Sequence, residues 1–506
     1  MKAGPELGPS RPWKLTRLID GLPGLVVQGS STVLITSLAY DSRRVQPGSL
    51  YFALPGGVTD GRLYIDEALR RGAVAVVHEG QVHGLRGMTA VRTDNARIAM
   101  GELAARFHGY PSRALRVIGI TGTNGKTTTA FMVRNILRET GTPTGMIGTI
   151  FYEFGGRQIS AVRTTPESLD LQQMLAKSRL AGDQAVVMEV SSQGLAAERL
   201  RGTTFAAGVF TNLSVDHLDF HHTMEQYFAT KKRLFETQDT GSTAAPAVVN
   251  LDDPYGRRLA GDPLVAGRML SYGFDETAAV RAVQVHCTER EATFHVLTPW
   301  GEAKVTLPLT GRFNVSNALA AIAVCGGLGV ALDEIVRVLG QMAPVPGRLE
   351  RVEDPRNTRH VYVDYAHTED ALRNVLQTLR ETTSGRLLCV FGCGGNRDHS
   401  KRPRMGAAVA ELADHVYVTS DNPRGEDPLA ILNDIVAGIP ASMPYTVEPD
   451  RTTAIRLALE QTQDGDTLLV AGKGHETYQE IGGRMVHFDD REVLRAALQE
   501  DSAASE

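Results

Sequence analysis

The sequence lacks three features that define other classes of protein. It has only four cysteines, too few and too scattered for a disulfide framework or a zinc site. Its net charge of −5 shows no basic excess, so neither nucleic acid nor an anionic membrane is an expected partner. No apolar run is long enough to span a membrane, and the proline-rich start, from Met1 to Trp13, lacks the apolar core of a signal peptide. These absences predict a cytoplasmic protein.

What is present describes a globular protein of more than one domain. Apolar residues make up 42% and charged residues 22% of the 506 positions, a length that exceeds one ordinary core. Short apolar runs alternate with helical patterns along most of the chain, which predicts the α/β class with mostly parallel sheets. The changes in pattern predict three domains, at residues 1–112, 113–342 and 343–506.

The strongest local signal is a glycine loop between a strand and a helix. The apolar run from Leu115 to Ile120 predicts a buried strand, and a helical pattern follows the loop. The intervening residues form a candidate phosphate loop: Gly122, Thr123, Asn124, Gly125, Lys126, Thr127 and Thr128. Backbone amides and a helix N-terminus would bind phosphates there, with Lys126 at the terminal phosphates and the Thr127 hydroxyl available to Mg²⁺. The alternative is an ordinary glycine turn that happens to precede Lys-Thr.

Two further stretches of the central region carry possible metal ligands. Glu189 follows the apolar strand that starts at Ala185, and it is a candidate partner of Thr127 on Mg²⁺; the alternative is a solvated acid or a helix cap. Residues 216–222 contain three histidines, including His217, and favour a second Mg²⁺ or substrate contacts over zinc. Lys231 follows at the end of a helical run, where a plain surface lysine is the alternative.

The last region repeats the pattern of a strand followed by a polar loop. Four such loops begin at Tyr365, Gly392, Asp421 and Gly472. Because the carboxyl ends of parallel strands meet at one edge of a sheet, we expect these loops to converge on one cleft. A nucleotide switch protein would not need such a second cleft.

These motifs, in this order, resemble the Mur ligase family over nearly the whole chain. The matching stretches are Thr121-Gly122-Thr123-Asn124-Gly125-Lys126-Thr127-Thr128, Met188-Glu189-Val190-Ser191-Ser192, Asp216-His217-Leu218-Asp219, Gly311-Arg312-Phe313-Asn314-Val315-Ser316-Asn317, Asp364-Tyr365-Ala366-His367 and Gly472-Lys473-Gly474-His475-Glu476. The resemblance is strongest to the members that add the third residue of the peptidoglycan stem. It implies a UDP-binding N-terminal α/β domain, a central ATPase-like domain and a C-terminal Rossmann-like domain.

The resemblance also implies substrates and site residues. ATP would meet the phosphate loop, with Asn314 and Asn317 at the adenine and with Arg348 and Asp364 reaching over from the third domain. The implied UDP-muramoyl-dipeptide contacts are Ser42, Gly57, Val58, Thr59, Thr164, Thr165, Ser191 and Arg199. Lys231 matches a carbamylated lysine that binds Mg²⁺ together with His217. The protein would then act on small molecules, as a monomer without nucleic-acid or membrane partners.

The amino acid to be added is predicted from residues 421–424. Asp421-Asn422-Pro423-Arg424 resembles the motif of members that add meso-2,6-diaminopimelate, whose second carboxylate suits a guanidinium fork. Arg397 would take the other carboxylate, and Glu476, near Gly472, the far ammonium. If Arg424 only caps a turn, lysine or ornithine stays possible. Another ligase of the same group, such as one adding glutamate to folates, and a nucleotide-dependent regulatory protein are the remaining alternatives.

Overall fold

The computed structural model describes residues 12–56, 59–82, 85, 87–236 and 245–505. Within them the chain builds three main sheets, each from a separate stretch of sequence. No described helix is both long and apolar enough to cross a membrane. The four cysteines are all free.

The first sheet has five described strands and lies in the N-terminal stretch. Its strands, in spatial order, are Val26–Gln28, Thr89–Thr93, Ala73–Glu79, Ser49–Ala53 and Ser37–Ala39. Only the pair at the Val26 edge is antiparallel. The α-helices of this stretch are Leu15–Ile19, Ile65–Arg70 and Ala96–Phe107, and Trp13–Lys14 pairs with Leu34–Ile35. The expected linker at Tyr110 continues into a 3₁₀ turn, Pro111–Arg113, in which Pro111 and Ser112 are buried.

The second sheet has eleven described strands and is parallel in its middle. In spatial order they are Arg157–Ser160, Phe151–Phe154, Thr144–Ile147, Ala185–Glu189, Arg116–Thr121, Ala207–Phe210, Ala247–Asn250, Met269–Gly273, Val280–Cys287, Ala292–Thr298 and Gly301–Leu307. The two strands at each end are antiparallel additions. The described helices around this sheet are Lys126–Glu139, Ser168–Leu180, Ser192–Ala196, Leu218–His221, Met224–Glu236, Pro254–Ala260, Pro263–Ala266, Arg312–Gly327 and Leu332–Leu339.

Consecutive residues of the central strands explain why this sheet is buried on both faces. Val117 packs into one apolar cluster and Ile118 into another, because successive side chains of a strand point to opposite faces. Val186 and Val187 divide in the same way. Helices cover both clusters, so the strands read as continuous apolar runs, the pattern of parallel sheets.

The third sheet has six described strands and carries the C-terminal loops. In spatial order they are Glu350–Val352, His360–Asp364, Thr467–Ala471, Leu387–Phe391, His415–Val418 and Tyr445–Val447, antiparallel only in the first pair. The helices are Glu369–Thr382, Lys401–Leu412, Pro428–Val436, Arg451–Gln461 and Asp490–Ser505. A hairpin that the sequence did not predict, Tyr478–Ile481 with Arg484–His487, lies outside the sheet.

Candidate active site

A cavity of about 1200 Å³ lies where the carboxyl ends of strands in the second and third sheets face each other. Its lining combines the phosphate loop, residues 123–128, with all four polar loops of the third sheet. The prediction that these four loops converge on one cleft is therefore confirmed. Ligands of open α/β sheets bind at this end of the strands.

The phosphate loop begins where the strand Arg116–Thr121 ends, and Lys126 starts the helix Lys126–Glu139. Gly125 has φ of +82°, and a methyl group there would lie 2.3 Å from the Asn317 Oδ1 atom, so only glycine fits. The Lys126 ammonium donates to two backbone carbonyls of the loop, Gly122 O at 2.9 Å and Thr123 O at 2.7 Å. Burial lowers the pKa of Lys126, partly offset by Glu189.

Strand-end residues of the second sheet hold this loop in place. The Asn124 backbone amide donates to Asn212 Oδ1 at 2.9 Å, and the Thr211 hydroxyl donates to the Asn124 carbonyl at 2.6 Å.

Two asparagines of the helix Arg312–Gly327 differ in their position relative to the cavity. Asn317 is part of the lining, whereas Asn314 is not, and Asn314 Nδ2 donates to Thr310 O at 2.8 Å. Asn317 Nδ2 donates to Asn314 Oδ1 at 3.2 Å, so Asn314 supports the side chain that lines the cavity, and the role of both at the adenine stays a prediction.

Thr127 and Glu189, predicted as partners on Mg²⁺, are in contact. The Thr127 hydroxyl donates to Glu189 Oε2 at 2.9 Å, and the Thr149 hydroxyl donates to the same oxygen at 3.1 Å. Glu189 is fully buried, so the alternative of a solvated acid is wrong. Hydroxyl and carboxylate oxygens are the donors that Mg²⁺ takes, so this set fits the ion. The described residues contain no cluster of three or more His, Cys, Asp or Glu side chains that would hold a metal without further groups.

Lys231 lies beneath the phosphate loop, in the helix Met224–Glu236. It is 1% exposed, and its Nζ donates to Gly122 O at 2.8 Å and lies 4.6 Å from the centre of the Tyr227 ring. The alternative of a plain surface lysine is therefore wrong. Burial, together with the charge of Lys126, lowers the pKa of Lys231 well below its usual value. A buried amine in its neutral form is nucleophilic.

His217 is close to this pair of lysines. Its Nε2 lies 3.3 Å from Asp216 Oδ2, and burial lowers the pKa of His217 despite that carboxylate. A neutral imidazole can ligate a metal. The neighbouring His221 instead bonds Ser192 at 2.8 Å and stacks on Tyr227, with a pKa lowered by burial to about 4. Of these two histidines, His217 lines the cavity and His221 does not.

The residues expected to hold the muramoyl-dipeptide lie together on the next part of the cavity wall: Thr164, Thr165, Ser191 and Arg199. The Thr165 hydroxyl donates to Glu189 O at 3.0 Å and accepts from the Ser191 amide at 2.9 Å. Arg199 donates to Thr165 O at 3.1 Å and pairs with Glu167, also at 3.1 Å. Glu167 pairs in addition with Arg97 of the first sheet's stretch, at 2.9 Å, so it links that region to the cavity wall.

The third sheet's stretch reaches the phosphate loop through two residues. Arg348 Nη2 donates to Thr127 Oγ1 at 3.0 Å, while its guanidinium lies 4.6 Å from the Tyr365 ring centre. Asp370 Oδ2 accepts from Asn124 Nδ2 at 2.7 Å and from the Ser214 hydroxyl at 2.8 Å. Asp364 accepts from the Leu349 amide at 2.6 Å, and burial raises the pKa of its carboxyl.

The predicted amino-acid residues Arg397, Asp421, Asn422, Arg424, Gly472 and Glu476 all line the cavity, whereas Pro423 is outside the lining. Arg424 Nη1 donates to Gly395 O at 2.9 Å, and its Nε lies 3.0 Å from Glu480 Oε2. The backbone of Arg424, at φ of +54°, pairs with the hairpin: its amide donates to Glu480 O at 2.9 Å. Arg424 therefore presents its guanidinium to the cavity from a fixed backbone.

Of the expected UDP contacts, Ser42 and Thr59 are not part of this cavity's lining. Ser42 donates to Glu67 Oε2 at 2.8 Å, and the Thr59 hydroxyl is 3.1 Å from the Tyr64 hydroxyl. Gly57 and Val58 lie outside the described residues. The assignment of a UDP site to these positions stays a prediction.

Sequence reasoning missed several residues that shape the site. Thr149, Glu167 and Asp370 each bond a predicted site residue, and Glu480 pairs with Arg424. A signal existed only for Asp370, which follows the polar loop at Tyr365 at the start of a helical pattern. The others depend on contacts between distant segments, which no local pattern encodes.

The class of protein follows from comparison with known families. Three family descriptions match in chain order: "Mur ligase family, catalytic domain" over residues 34–108, "Mur ligase middle domain" over 120–325 and "Mur ligase, glutamate ligase domain" over 347–474. The chain belongs to the Mur ligase family of ATP-dependent ligases.

Two relatives at 45% and 46% identity carry the same activity in their names. A UDP-N-acetylmuramoyl-L-alanyl-D-glutamate–2,6-diaminopimelate ligase of Synechococcus elongatus is 45% identical over 97% of this chain and 100% of its own length. The ligase of that name from Solibacter usitatus is 46% identical over 92% and 93%. A solved structure with that name is 32% identical, with a TM-score of 0.67, covering 97% of this chain and 99% of its own. The MurF ligase of Thermotoga maritima, solved with ADP, shares the fold at 20% identity, with a TM-score of 0.65 over 92% and 98%.

Proposed function

We propose that the protein joins meso-2,6-diaminopimelate to UDP-N-acetylmuramoyl-L-alanyl-D-glutamate at the expense of ATP, in peptidoglycan synthesis. The observation that carries the proposal is the single cavity that contains both a phosphate loop and, opposite it, a charged pocket with Arg424 and Glu476. The names of relatives at 45% and 46% identity support the same substrates.

ATP would bind between the second and third sheets. Residues 122–128 would surround its phosphates, Lys126 would neutralise their charge, and Asn317, supported by Asn314, would meet the adenine. Arg348 would contribute a second cation, and Asp364 would face the nucleotide from the third sheet. Placing fixed charges around a transferring phosphoryl group is the main contribution that a protein makes to this chemistry.

Mg²⁺ would be held by the Thr127 hydroxyl and Glu189, and a second ion by His217 and a carbamylated Lys231. When bound, Mg²⁺ neutralises charge on the phosphates. Two observations support the carbamylation. The Lys231 amine is buried, and it donates to a backbone carbonyl, Gly122 O, with no carboxylate partner among the described residues. Addition of CO₂ would convert it into the carboxylate that the metal site needs.

The reaction would proceed through an acyl phosphate. The terminal carboxylate of the dipeptide, held by Thr164, Thr165, Ser191 and Arg199, attacks the γ-phosphorus of ATP and ADP leaves. The amino group of the diamino acid then attacks the acyl carbon, and phosphate leaves. Arg397 and Arg424 would bind its two carboxylates and Glu476 its far ammonium, with Asp421, Asn422, Pro423 and Gly472 shaping the pocket. Closure of the cavity would exclude water, which otherwise hydrolyses the intermediate.

The same proposed function gives the remaining assignments, namely the domain bounds, the UDP contacts, the oligomeric state and the location in the cell. The three domains would be residues 1–112, 113–342 and 343–506, with Ser42, Gly57, Val58 and Thr59 at the uridine diphosphate in the first. We expect a monomer that acts in the cytoplasm, where ATP and UDP-linked precursors are available.

One experiment tests the proposal directly. The purified protein is incubated with ATP, Mg²⁺, UDP-muramoyl-dipeptide and a panel of amino acids in competition, and the product is identified by mass. We expect diaminopimelate to be incorporated ahead of lysine and ornithine, with ADP released only when both the dipeptide and an amino acid are present. Preferred incorporation of lysine or ornithine would contradict the assignment, and ADP release without either substrate would favour a regulatory role.

A further inference from the structure

A fully buried lysine lies directly behind the amino-acid pocket. Lys473 has no exposed surface, and it is not part of the cavity lining, although its neighbours Gly472 and Glu476 are. Its ammonium lies 3.1 Å from Glu476 Oε2 and 3.2 Å from Asn422 Oδ1. A buried charge is costly unless it is paired, so this lysine depends on Glu476 as much as Glu476 depends on it.

Among the described residues, the hydrogen bonds to the Glu476 carboxylate fall on one of its two oxygens. Oε2 accepts from Lys473 Nζ and also, at 2.9 Å, from Asn422 Nδ2. Two donors on the same oxygen fix the plane of the carboxylate and leave Oε1 for a ligand in the cavity. Asn422 in turn accepts the Glu480 amide at 2.9 Å, which ties the cluster to the hairpin with which Arg424 pairs.

We propose that Lys473 is a positioning residue for the amino-acid site: it holds Glu476 in place for the ammonium of the diamino acid that does not react. The inference rests on the proposed function and deepens it. Lys473 does not touch the substrate. Its ammonium balances the Glu476 carboxylate while the pocket is empty and holds the carboxylate rigid when a substrate ammonium arrives. Because the far ammonium is the group that Glu476 would recognise, Lys473 affects only substrates that carry it.

The test compares two substrates that differ in that one group. Diaminopimelate has a far ammonium, whereas 2-aminopimelate has the same chain and carboxylates without it. For the wild-type protein and for Lys473→Met, kcat and KM are measured with each amino acid at saturating ATP and dipeptide. We expect the preference for diaminopimelate, as a ratio of kcat/KM values, to fall at least about tenfold in the variant. The loss should appear in KM for diaminopimelate, with KM for ATP changed by less than about twofold.

A matched control separates positioning from general destabilisation. Arg359→Met also removes a buried cation from the third sheet's stretch, one that pairs with Asp354 at 3.2 Å and is not part of the cavity lining. We expect it to lower the melting temperature and to keep the substrate preference. Should Lys473→Met fold poorly, Lys473→Gln, which keeps a hydrogen-bond donor without the charge, is measured in the same way.

The double variant with Glu476→Gln shows whether Lys473 acts through Glu476. If it does, adding Lys473→Met to Glu476→Gln leaves the substrate preference unchanged. An equal loss on both amino acids with the preference retained, or a further loss of preference in the double variant, would overturn the inference alone. A wild-type protein that does not incorporate diaminopimelate would overturn the proposed function, and the inference with it.

Discussion

The two ends of the cavity differ in how their charges are balanced. At the phosphate end, the ammonium groups of Lys126 and Lys231 bond backbone carbonyls, and neither forms an ion pair with a carboxylate in the described part of the chain. At the amino-acid end, Arg424 pairs with Glu480 and Glu476 with Lys473. The two lysines at the phosphate end therefore have no carboxylate in direct contact, whereas Arg424 and Glu476 at the amino-acid end each have a direct ion-pair partner.

The difference indicates two modes of recognition. A buried cation without a direct ion-pair partner, such as Lys126, favours a ligand with several negative charges, such as a nucleoside triphosphate, and the binding energy is mainly electrostatic. A pocket whose charges are already paired gains little from net attraction. It discriminates between ligands by geometry, because a charge in the wrong place is left unmatched. The four substitutions that follow test this difference between the two ends.

The largest effect is expected from removing charge at the phosphate end. Lys126→Ala should lower kcat by at least about a hundredfold, since a preorganised cation at the transferring phosphoryl group is lost. Steady-state ADP release measures it. Lys304→Ala, on an exposed position of an outer strand, is the control and should keep wild-type turnover. Near-normal turnover of Lys126→Ala would contradict the phosphate-loop assignment.

Lys231→Ala should also be close to inactive, with a loss of roughly a hundredfold, but for a different reason. If Lys231 acts as a carbamate, the missing group is an acid, and added formate or acetate should restore part of the rate. Lys126→Ala, which lacks a cation, should show no such rescue and is the matched control. Full activity of wild-type protein freed of bicarbonate and CO₂ would show that carbamylation is not needed.

An intermediate effect is expected at the amino-acid end. Arg424→Ala should lower kcat/KM for diaminopimelate by about thirtyfold, equivalent to about 2 kcal/mol, the lower end of the range for a charge pair because the side chain is 24% exposed. KM for ATP should not change. Arg484→Ala, on the exposed strand of the hairpin with which Arg424 pairs, serves as the control. Equal losses with diaminopimelate and lysine would mean that Arg424 only shapes a turn.

The smallest effect is expected from breaking a contact between the stretches that form the second and third sheets. Asp370→Ala removes the acceptor of Asn124 and Ser214, worth about 1 kcal/mol, so KM for ATP should rise by about fivefold or less. By small-angle scattering, the ligand-free variant should have larger dimensions than the ligand-free wild-type protein. Adding nucleotide and the UDP substrate should return the variant to wild-type dimensions. Glu381→Ala, exposed on the same helix, is the control. Unchanged dimensions would show that this contact does not hold the sheets together.

The features that sequence reasoning predicted are those encoded locally. The strand Arg116–Thr121, the glycine loop and the helix after it follow from an apolar run, two glycines and a helical period in adjacent residues. The hairpin Tyr478–Ile481 with Arg484–His487 was missed because its strands are short and largely exposed, so they show no burial pattern. The three-sheet architecture was expected from the alternation of strands and helices and from family resemblance.

The contacts within the site also divide into those that the sequence predicts and those that it does not. Glu189 ends one strand of a parallel sheet, and Thr127 lies in the first turn of the helix that follows the neighbouring strand, so topology alone predicts that they meet. The bond from Asp370 to Asn124 joins residues 246 positions apart and depends on how two sheets pack against each other. The contact of Arg348 with Thr127 spans 221 positions and was expected only through resemblance to a family. Such contacts are properties of the assembled tertiary structure.

The chain connection between the second and third sheets, at residues 347–349, affects how the cavity can open. Gly347 and Leu349, on either side of Arg348, both have left-handed backbone conformations, with φ of +65° and +43°. Arg348 lies where the chain passes into the third sheet's stretch, just before the strand Glu350–Val352, while Asp370 is on a helix further along the chain. A rotation moves a point in proportion to its distance from the axis. If the third sheet rotates by a small angle about this connection, we expect the Asp370 contacts to break first. The Arg348 guanidinium would then stay close to Thr127 while the cavity opens.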